Sequence, residues 1–100
     1  MNKKQAIERT EKLWKFLEET GKGKEDWPEW DKYGGIDNVT TGCFLCEYCN
    51  KYTSCESCPY HKEFGHCNKV GAPYFDWTKP LLLQEKKRCA KRFLEQLKEL

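Results

Sequence analysis

The sequence predicts a small α-rich, metal-stapled domain. In it, N- and C-terminal helices pack around a loop-rich, zinc-binding middle with room for short β-hairpins. Three observations lead to this fold class. The chain has 100 residues, of which 38% are hydrophobic, enough for one small core and not for two. Apolar residues recur with helical spacing only near the two ends of the chain, and six of the seven cysteines lie between those ends.

The N-terminal helix is predicted over residues 3–20. Ile7, Thr10, Trp14 and Leu17 follow one another at intervals of three or four residues, which places them on one face of an α-helix. Two glycines come directly after this range and are typical of a helix end. Since a single helix cannot bury its own apolar stripe, we expect another element to cover it.

The C-terminal helix is predicted over residues 80–100, with Pro80 in its first turn. Its apolar face is formed by residues seven, four, four and three positions apart, namely Leu82, Cys89, Phe93, Leu97 and Leu100. We expect Cys89 to be a small buried hydrophobic residue on this face and not a ligand or nucleophile. The two terminal helices should pack together, with Trp14 and Phe93 in their shared interface.

Residues 24–79 form a cysteine-rich segment without sustained periodicity. This segment holds three prolines, five glycines and six cysteines. A structureless stretch of this length does not pack unaided, and cross-links through cysteine are the obvious staple. We therefore expect residues 1–100 to form a single domain, in which the middle is cross-linked and the two helices supply its hydrophobic support.

The cysteines of the middle segment carry the strongest chemical signal. Cys43 and Cys46 form one C-x-x-C pair, and Cys55 and Cys58 form a second. The two-residue spacer lets both thiolates of a pair face one ion with backbone amides turned toward the sulfurs, and two pairs complete the tetrahedron of structural zinc. We therefore predict bound Zn²⁺, with these four cysteines as the first choice of ligands and Cys67 as the substitute. The other members of the donor pool are Cys49, His61 and His66.

Iron is the main alternative to zinc. Cys43, Cys46 and Cys49 match the start of the ferredoxin motif, and Cys58-Pro59 resembles its end. The fourth ferredoxin cysteine follows the third after about four residues, whereas positions 50–53 contain no cysteine. Two zinc ions sharing the pool are another alternative. A redox-active C-x-x-C pair is a third, although it needs a thioredoxin-like strand and helix that the surrounding sequence lacks.

Catalysis, membrane insertion and secretion find little support in the sequence. It contains no H-E-x-x-H, G-x-S-x-G or P-loop motif, so we expect a protein that is not an enzyme. No apolar run approaches the roughly 18 residues that span a bilayer, and no apolar signal-peptide core follows the first methionine. Without export the thiols stay reduced, so we expect a cytoplasmic protein with no membrane partner and thiolates available for metal.

Basic and aromatic residues leave two classes of partner open. The C-terminal helix is predicted to carry a basic face opposite its apolar face. This basic face is either exposed to solvent or in contact with phosphate groups, and it consists of Lys87, Arg88, Lys91 and Arg92. The net charge of +2 is too small to indicate nucleic acid by itself. Aromatic residues that could stack on bases alternate with lysines around the cysteines. They are Tyr48, Tyr52, Tyr60 and Phe64, with Lys51, Lys62 and Lys69.

An ordered set of short motifs resembles a family of small cysteine-rich proteins found in phage genomes and prophages. The motifs are Asp26-Trp27-Pro28, Gly42 to Tyr48, Cys55 to Pro59, Gly65-His66-Cys67 and Pro73 to Trp77. The similarity covers residues 10–80, and it implies helices at both ends and no established activity. The shared ligand set that it implies is Cys43, Cys46, Cys55, Cys58 and Cys67, with Cys49 as an extra.

These observations together predict a non-catalytic, zinc-binding interaction module. We expect it to be phage-related and to act by binding another protein, in a phage or host complex. Nucleic-acid binding is the first alternative function, and an iron–sulfur or redox role is the second.

Overall fold

The computed structural model describes residues 1–39, 42–50, 58–79 and 81–100. The α-helices in these ranges are α1 (Lys3–Thr20), α2 (Phe44–Asn50), α3 (Pro59–Phe64), α4 (Pro73–Trp77) and α5 (Leu83–Lys98). Short 3₁₀ helices at Lys24–Asp26, Pro28–Tyr33 and Ile36–Asn38 lie between α1 and α2. The described residues contain no β-strand, so this part of the chain lacks the β-hairpins for which the sequence left room. The helical class is confirmed, and no helix in these ranges is long and apolar enough to cross a bilayer.

Helix α1 is closed by specific contacts at both ends. The Asn2 side chain accepts the Gln5 N–H at 2.8 Å, and Gln5 Oε1 accepts the Asn2 N–H at 3.0 Å, which satisfies two backbone donors. At the other end Gly21 has φ +69°, and its N–H donates to the Leu17 carbonyl at 2.9 Å. A side chain at Gly21 would also collide with Leu83 of α5. The helix therefore covers the predicted range and ends at a glycine.

Helix α5 begins later than the sequence predicts. Its first residue is Leu83, and Leu82 before it has an extended backbone with ψ 157°. The expected place of Leu82 on the apolar face is therefore wrong, because a residue outside the first turn does not follow the helical register; Leu82 is 74% exposed. From Cys89 to Leu97 the expected face is confirmed, whereas α5 ends at Lys98 and the half-buried Leu100 lies beyond it. The buried residues of this face are Cys89, Ala90, Phe93, Leu94 and Leu97.

Helices α1 and α5 pack side by side in antiparallel directions. Leu83 at the start of α5 lies against Gly21 beyond the end of α1. Leu100, at the other end of the pair, lines a groove with the first turns of α1. Trp14 and Phe93 are 1% and 2% exposed, and their ring centroids are 4.4 Å apart. The predicted interface between the terminal helices is confirmed.

Helix α4 completes the aromatic core. Its Tyr74 and Trp77 rings lie 5.7 and 4.9 Å from the Trp14 ring, in edge-to-face geometry. Such pairs contribute to stability beyond the area that they bury. The Asp76 carboxylate also lies 3.8 Å from the Arg92 guanidinium, which links α4 to α5. The short helix therefore closes one side of the α1–α5 interface.

A second aromatic cluster holds the 3₁₀ segment against α2. The Trp30 ring lies 5.0 Å from Trp27 and 5.5 Å from Phe44, and Tyr33 lies 4.9 Å from Phe44. The Trp30 indole N–H donates to the Lys24 carbonyl at 2.6 Å. These contacts fix the chain between α1 and α2, and they place Lys24 directly before the cluster.

Candidate metal centre

Four of the five predicted zinc ligands line one cavity of about 210 Å³, which we call the cysteine cavity. Cys43 immediately precedes α2, and Cys46 lies in the first turn of that helix. Cys58 is the N-cap residue of α3, and Cys67 lies in the turns between α3 and α4. The remainder of the wall is mainly apolar and consists of Leu45, Tyr60, Asn68, Tyr74 and Phe93. Three separate segments thus contribute cysteines to the wall of one cavity beside the core.

The surroundings of Cys43 favour a thiolate. Its pKa is lowered from 9.0 to about 6, first of all by a hydrogen bond with the Cys46 side chain. The positive charge of Lys24 and the backbone N–H groups of Cys46 and Leu45 act in the same direction, whereas burial opposes them. The sequence predicts that backbone amides turn toward the sulfurs of a C-x-x-C pair, and this arrangement is present at Cys43.

Cys67 has the opposite electrostatic environment. Its pKa is raised to about 11, first of all by burial and then by the charges of Cys43 and Cys58, while Lys24 acts against them. The thiols are therefore close enough to influence one another's ionisation. Ionising them together would be unfavourable unless a cation lay among them, because like charges disfavour each other in a buried site.

The thiols of the cysteine cavity do not converge on one point. Among the described residues, no three cysteine, histidine or carboxylate groups lie close enough to share an ion. Cys55, the fifth predicted ligand, lies outside the described residues. The fit to zinc therefore rests on donor chemistry, because four cysteines line one small cavity with a largely apolar wall. Metal binding is commonly coupled to folding of the site, which would draw these ligands together.

The other members of the donor pool lie apart from the cavity wall. Cys49 is buried, and its thiol donates to the Cys46 carbonyl at 3.4 Å. The His61 and His66 rings are 4.6 Å apart, and neither is among the described residues that line the cysteine cavity. Cys89 is buried on α5, as the sequence predicts.

Tyr60 belongs to the core and not to an exposed stacking surface. It is 2% exposed, and its hydroxyl donates to Gln96 Oε1 at 2.6 Å, which ties α3 to α5. Burial, followed by the charge of Cys67, raises the pKa of Tyr60 to about 12. The expectation that Tyr60 could stack on a base is therefore wrong, because its ring packs against Phe93 at 5.0 Å. Pro59 marks the start of α3, and both Pro59 and Tyr60 are buried there.

Lys24 is the residue of the site that no sequence pattern indicates. Although it follows Gly21-Lys22-Gly23, a run that suggests a solvated loop, only 8% of Lys24 is exposed. Its ammonium donates to the Tyr74 hydroxyl at 3.1 Å, and Tyr74 lines the cysteine cavity. The site thus combines four thiols with a buried cation at its edge.

No protein-family model, curated protein or solved structure matches this chain. The resemblance to small cysteine-rich phage proteins stays a prediction from the ordered motifs. The function is therefore inferred from the chemistry of the cysteine cavity and from the surface around it.

Proposed function

We propose that this protein is a small, non-catalytic module that binds one structural zinc ion. The supporting observation is that Cys43, Cys46, Cys58 and Cys67, from three segments of the chain, line a single cavity. Cysteine thiolates are preferred ligands of structural zinc, and four of them form a closed site that leaves no position for a substrate. Cys55 is the alternative fourth ligand, because its spacing from Cys58 is that of a zinc knuckle.

Zinc would cross-link the shortest elements of the fold. Helices α2, α3 and α4 have only seven, six and five residues, and helices of this length are not stable by themselves in water. Cys43 and Cys46 would hold the start of α2, Cys58 the start of α3, and Cys67 the turns that lead to α4. The ion would thus stabilise a region in which few aliphatic side chains are available for packing.

Metal analysis of the full chain, purified without chelator, tests this proposal. We expect one zinc per chain and a colourless protein, whereas an iron–sulfur centre would make the protein brown. Substitution of Co²⁺ for zinc should produce a thiolate-to-cobalt charge-transfer band, whose intensity reports the number of sulfur ligands. A folded wild-type chain that takes up neither metal would overturn the proposal.

The choice between Cys67 and Cys55 needs matched variants. Cys67→Ser should weaken zinc binding and reduce the charge-transfer band, whereas the control Cys49→Ser should keep both. If Cys55→Ser loses the metal and Cys67→Ser retains it, the second C-x-x-C pair supplies both remaining ligands.

We further propose that the module acts by binding another protein, in the cytoplasm and in the phage-related setting that the motif resemblance implies. The supporting feature is a pair of adjacent leucines, Leu82 and Leu83, which are 74% and 56% exposed. Neighbouring exposed apolar side chains are characteristic of protein contact sites. A comparative pulldown tests this role. Leu82→Glu should lose a partner that the wild type and the control Val70→Glu retain, since Val70 is equally apolar and 84% exposed.

Nucleic-acid binding is the second candidate function, and the outer face of α5 favours it. Arg88 and Lys91 are exposed there, and neither pairs with a carboxylate within the described part of the chain. Binding to random nucleic acid at two salt concentrations tests this candidate. Affinity that falls steeply with salt and is lost in Lys91→Glu would support it, because neutralised phosphates release counterions.

A further inference from the structure

Lys24 places a positive charge inside the protein, where the described part of the chain pairs no carboxylate with it. The residue is 8% exposed. Its ammonium donates to the Tyr74 hydroxyl at 3.1 Å and lies 4.7 and 5.8 Å from the centres of the Tyr74 and Trp14 rings. None of the ion pairs among the described residues includes it. Buried lysines are rare unless they are paired, so this ammonium calls for an anionic neighbour.

The surrounding chain fixes the position of this side chain. The Lys24 carbonyl accepts the Trp30 indole N–H at 2.6 Å and the Trp27 backbone N–H at 3.1 Å. Lys24 Cδ lies 3.7 Å from the point where a Cβ of Gly42 would stand, and Gly42 directly precedes Cys43. The Lys24 side chain therefore runs beside the residue that precedes the Cys43/Cys46 pair, and it ends at Tyr74 on the wall of the cysteine cavity.

The groups that can supply this negative charge are the cysteines of the cavity wall. The Lys24 side chain passes Gly42, the residue before Cys43, and its ammonium ends at Tyr74, which lines the cysteine cavity. Four thiolates around one Zn²⁺ leave a net double negative charge. A nearby fixed cation would offset half of it, and groups around the ligands commonly tune a metal site in this way.

Resting on the proposed zinc site, we infer that Lys24 is the built-in counter-charge of the thiolate centre. It is a positioning residue and contributes no ligand atom. The negative charge of the metal centre explains why Lys24 is buried near the cysteines. In turn, the positive charge of Lys24 favours thiolate ligands over neutral ligands at this site.

Removing this charge while keeping the length of the side chain tests the inference. Zinc affinity, measured by competition with a chromophoric chelator, should fall about 10–100-fold in Lys24→Met, the usual effect of losing a group that supports a metal ligand. Lys24→Gln removes the charge but keeps a polar side chain, and its zinc affinity should fall by a similar factor. This second neutral variant allows the same comparison with the wild type if Lys24→Met does not fold. Lys24→Arg should restore most of the affinity, because it keeps the charge. The matched control is Lys22→Met, which removes an exposed lysine two residues away.

A purely structural role predicts a different pattern. Lys24→Arg would then be as defective as the neutral variants, because the larger guanidinium disturbs the packing and charge does not matter. Wild-type affinity in a folded Lys24→Met or Lys24→Gln protein that holds one zinc would overturn the counter-charge and leave the zinc site intact. A folded wild-type chain without zinc would overturn both inferences.

Discussion

Replacing Trp14 by alanine should be among the most damaging single changes to this fold. The indole is 1% exposed, and its ring lies 4.4, 4.9 and 5.7 Å from the rings of Phe93, Trp77 and Tyr74. Truncating a core tryptophan costs about 3–5 kcal/mol. Each aromatic pair adds about 0.5–1.5 kcal/mol beyond burial, so we expect a loss near the upper limit, about 4–5 kcal/mol. Typical domains have about 5–15 kcal/mol in total, so the variant should be barely stable.

Thermal and urea unfolding with zinc in excess, followed by circular dichroism, measures this loss. For a domain of this size, the expected destabilisation corresponds to a fall in Tm of at least about 15 °C. Leu82→Ala is the control, because truncation of a side chain that is 74% exposed should change stability by less than about 0.5 kcal/mol. Phe93→Ala should also be strongly destabilising, and the double variant should be non-additive because the two rings touch.

The refuting result is a small effect. A loss below about 1 kcal/mol in Trp14→Ala, together with a dimeric wild type that dissociates when Trp14 is truncated, would show that the stripe is covered by a second chain. Molecular mass in solution is therefore measured for both proteins. Such a result would move Trp14 and Phe93 from the core to a binding surface.

Three further predictions concern the metal and the thiols. Chelation should reduce helix content and expose residues 58–79 to protease, because structural zinc contributes roughly 10–16 kcal/mol of apparent binding energy in finger peptides; unchanged protection would contradict this. Cys43→Ser and Cys58→Ser should lose stoichiometric zinc while Cys89→Ala keeps it, and metal loss in the third variant would show that α5 reaches the site. In metal-free chains that keep the fold, iodoacetamide near neutral pH should modify Cys43 before Cys67, because their pKa values in the fold are about 6 and about 11; equal rates in folded chains would be inconsistent with these environments.

The terminal helices could be predicted because each is long enough to repeat its apolar spacing several times. Trp14 and Phe93 are placed correctly on this basis, since 3.6-residue periodicity and burial have the same cause. The error at Leu82 arises at a helix end, where one extended residue shifts the register and periodicity carries no information.

The middle could be predicted only in its chemistry. Spacing alone is enough to select Cys43 and Cys46 as a pair, because two thiolates separated by two residues can face one ion. The helices of the middle have at most seven residues and are too short to show a clear period. Prolines mark the start of only three of them, at Pro28, Pro59 and Pro73. The burial of Lys24 depends on contacts with residues far along the chain, such as Tyr74, which no local pattern records.

The antiparallel pairing of α1 with α5 has a consequence for synthesis of the chain. The contact between Trp14 and Phe93 joins α1 to α5, so the core cannot close until α5 has left the ribosome. At about 5–20 residues per second, α1 waits roughly 4–16 s for its partner with its apolar stripe uncovered. A chain that stops before α5 would lack the covering face altogether and would be open to chaperones and proteases. The connectivity thus makes persistence in the cell depend on translation through α5.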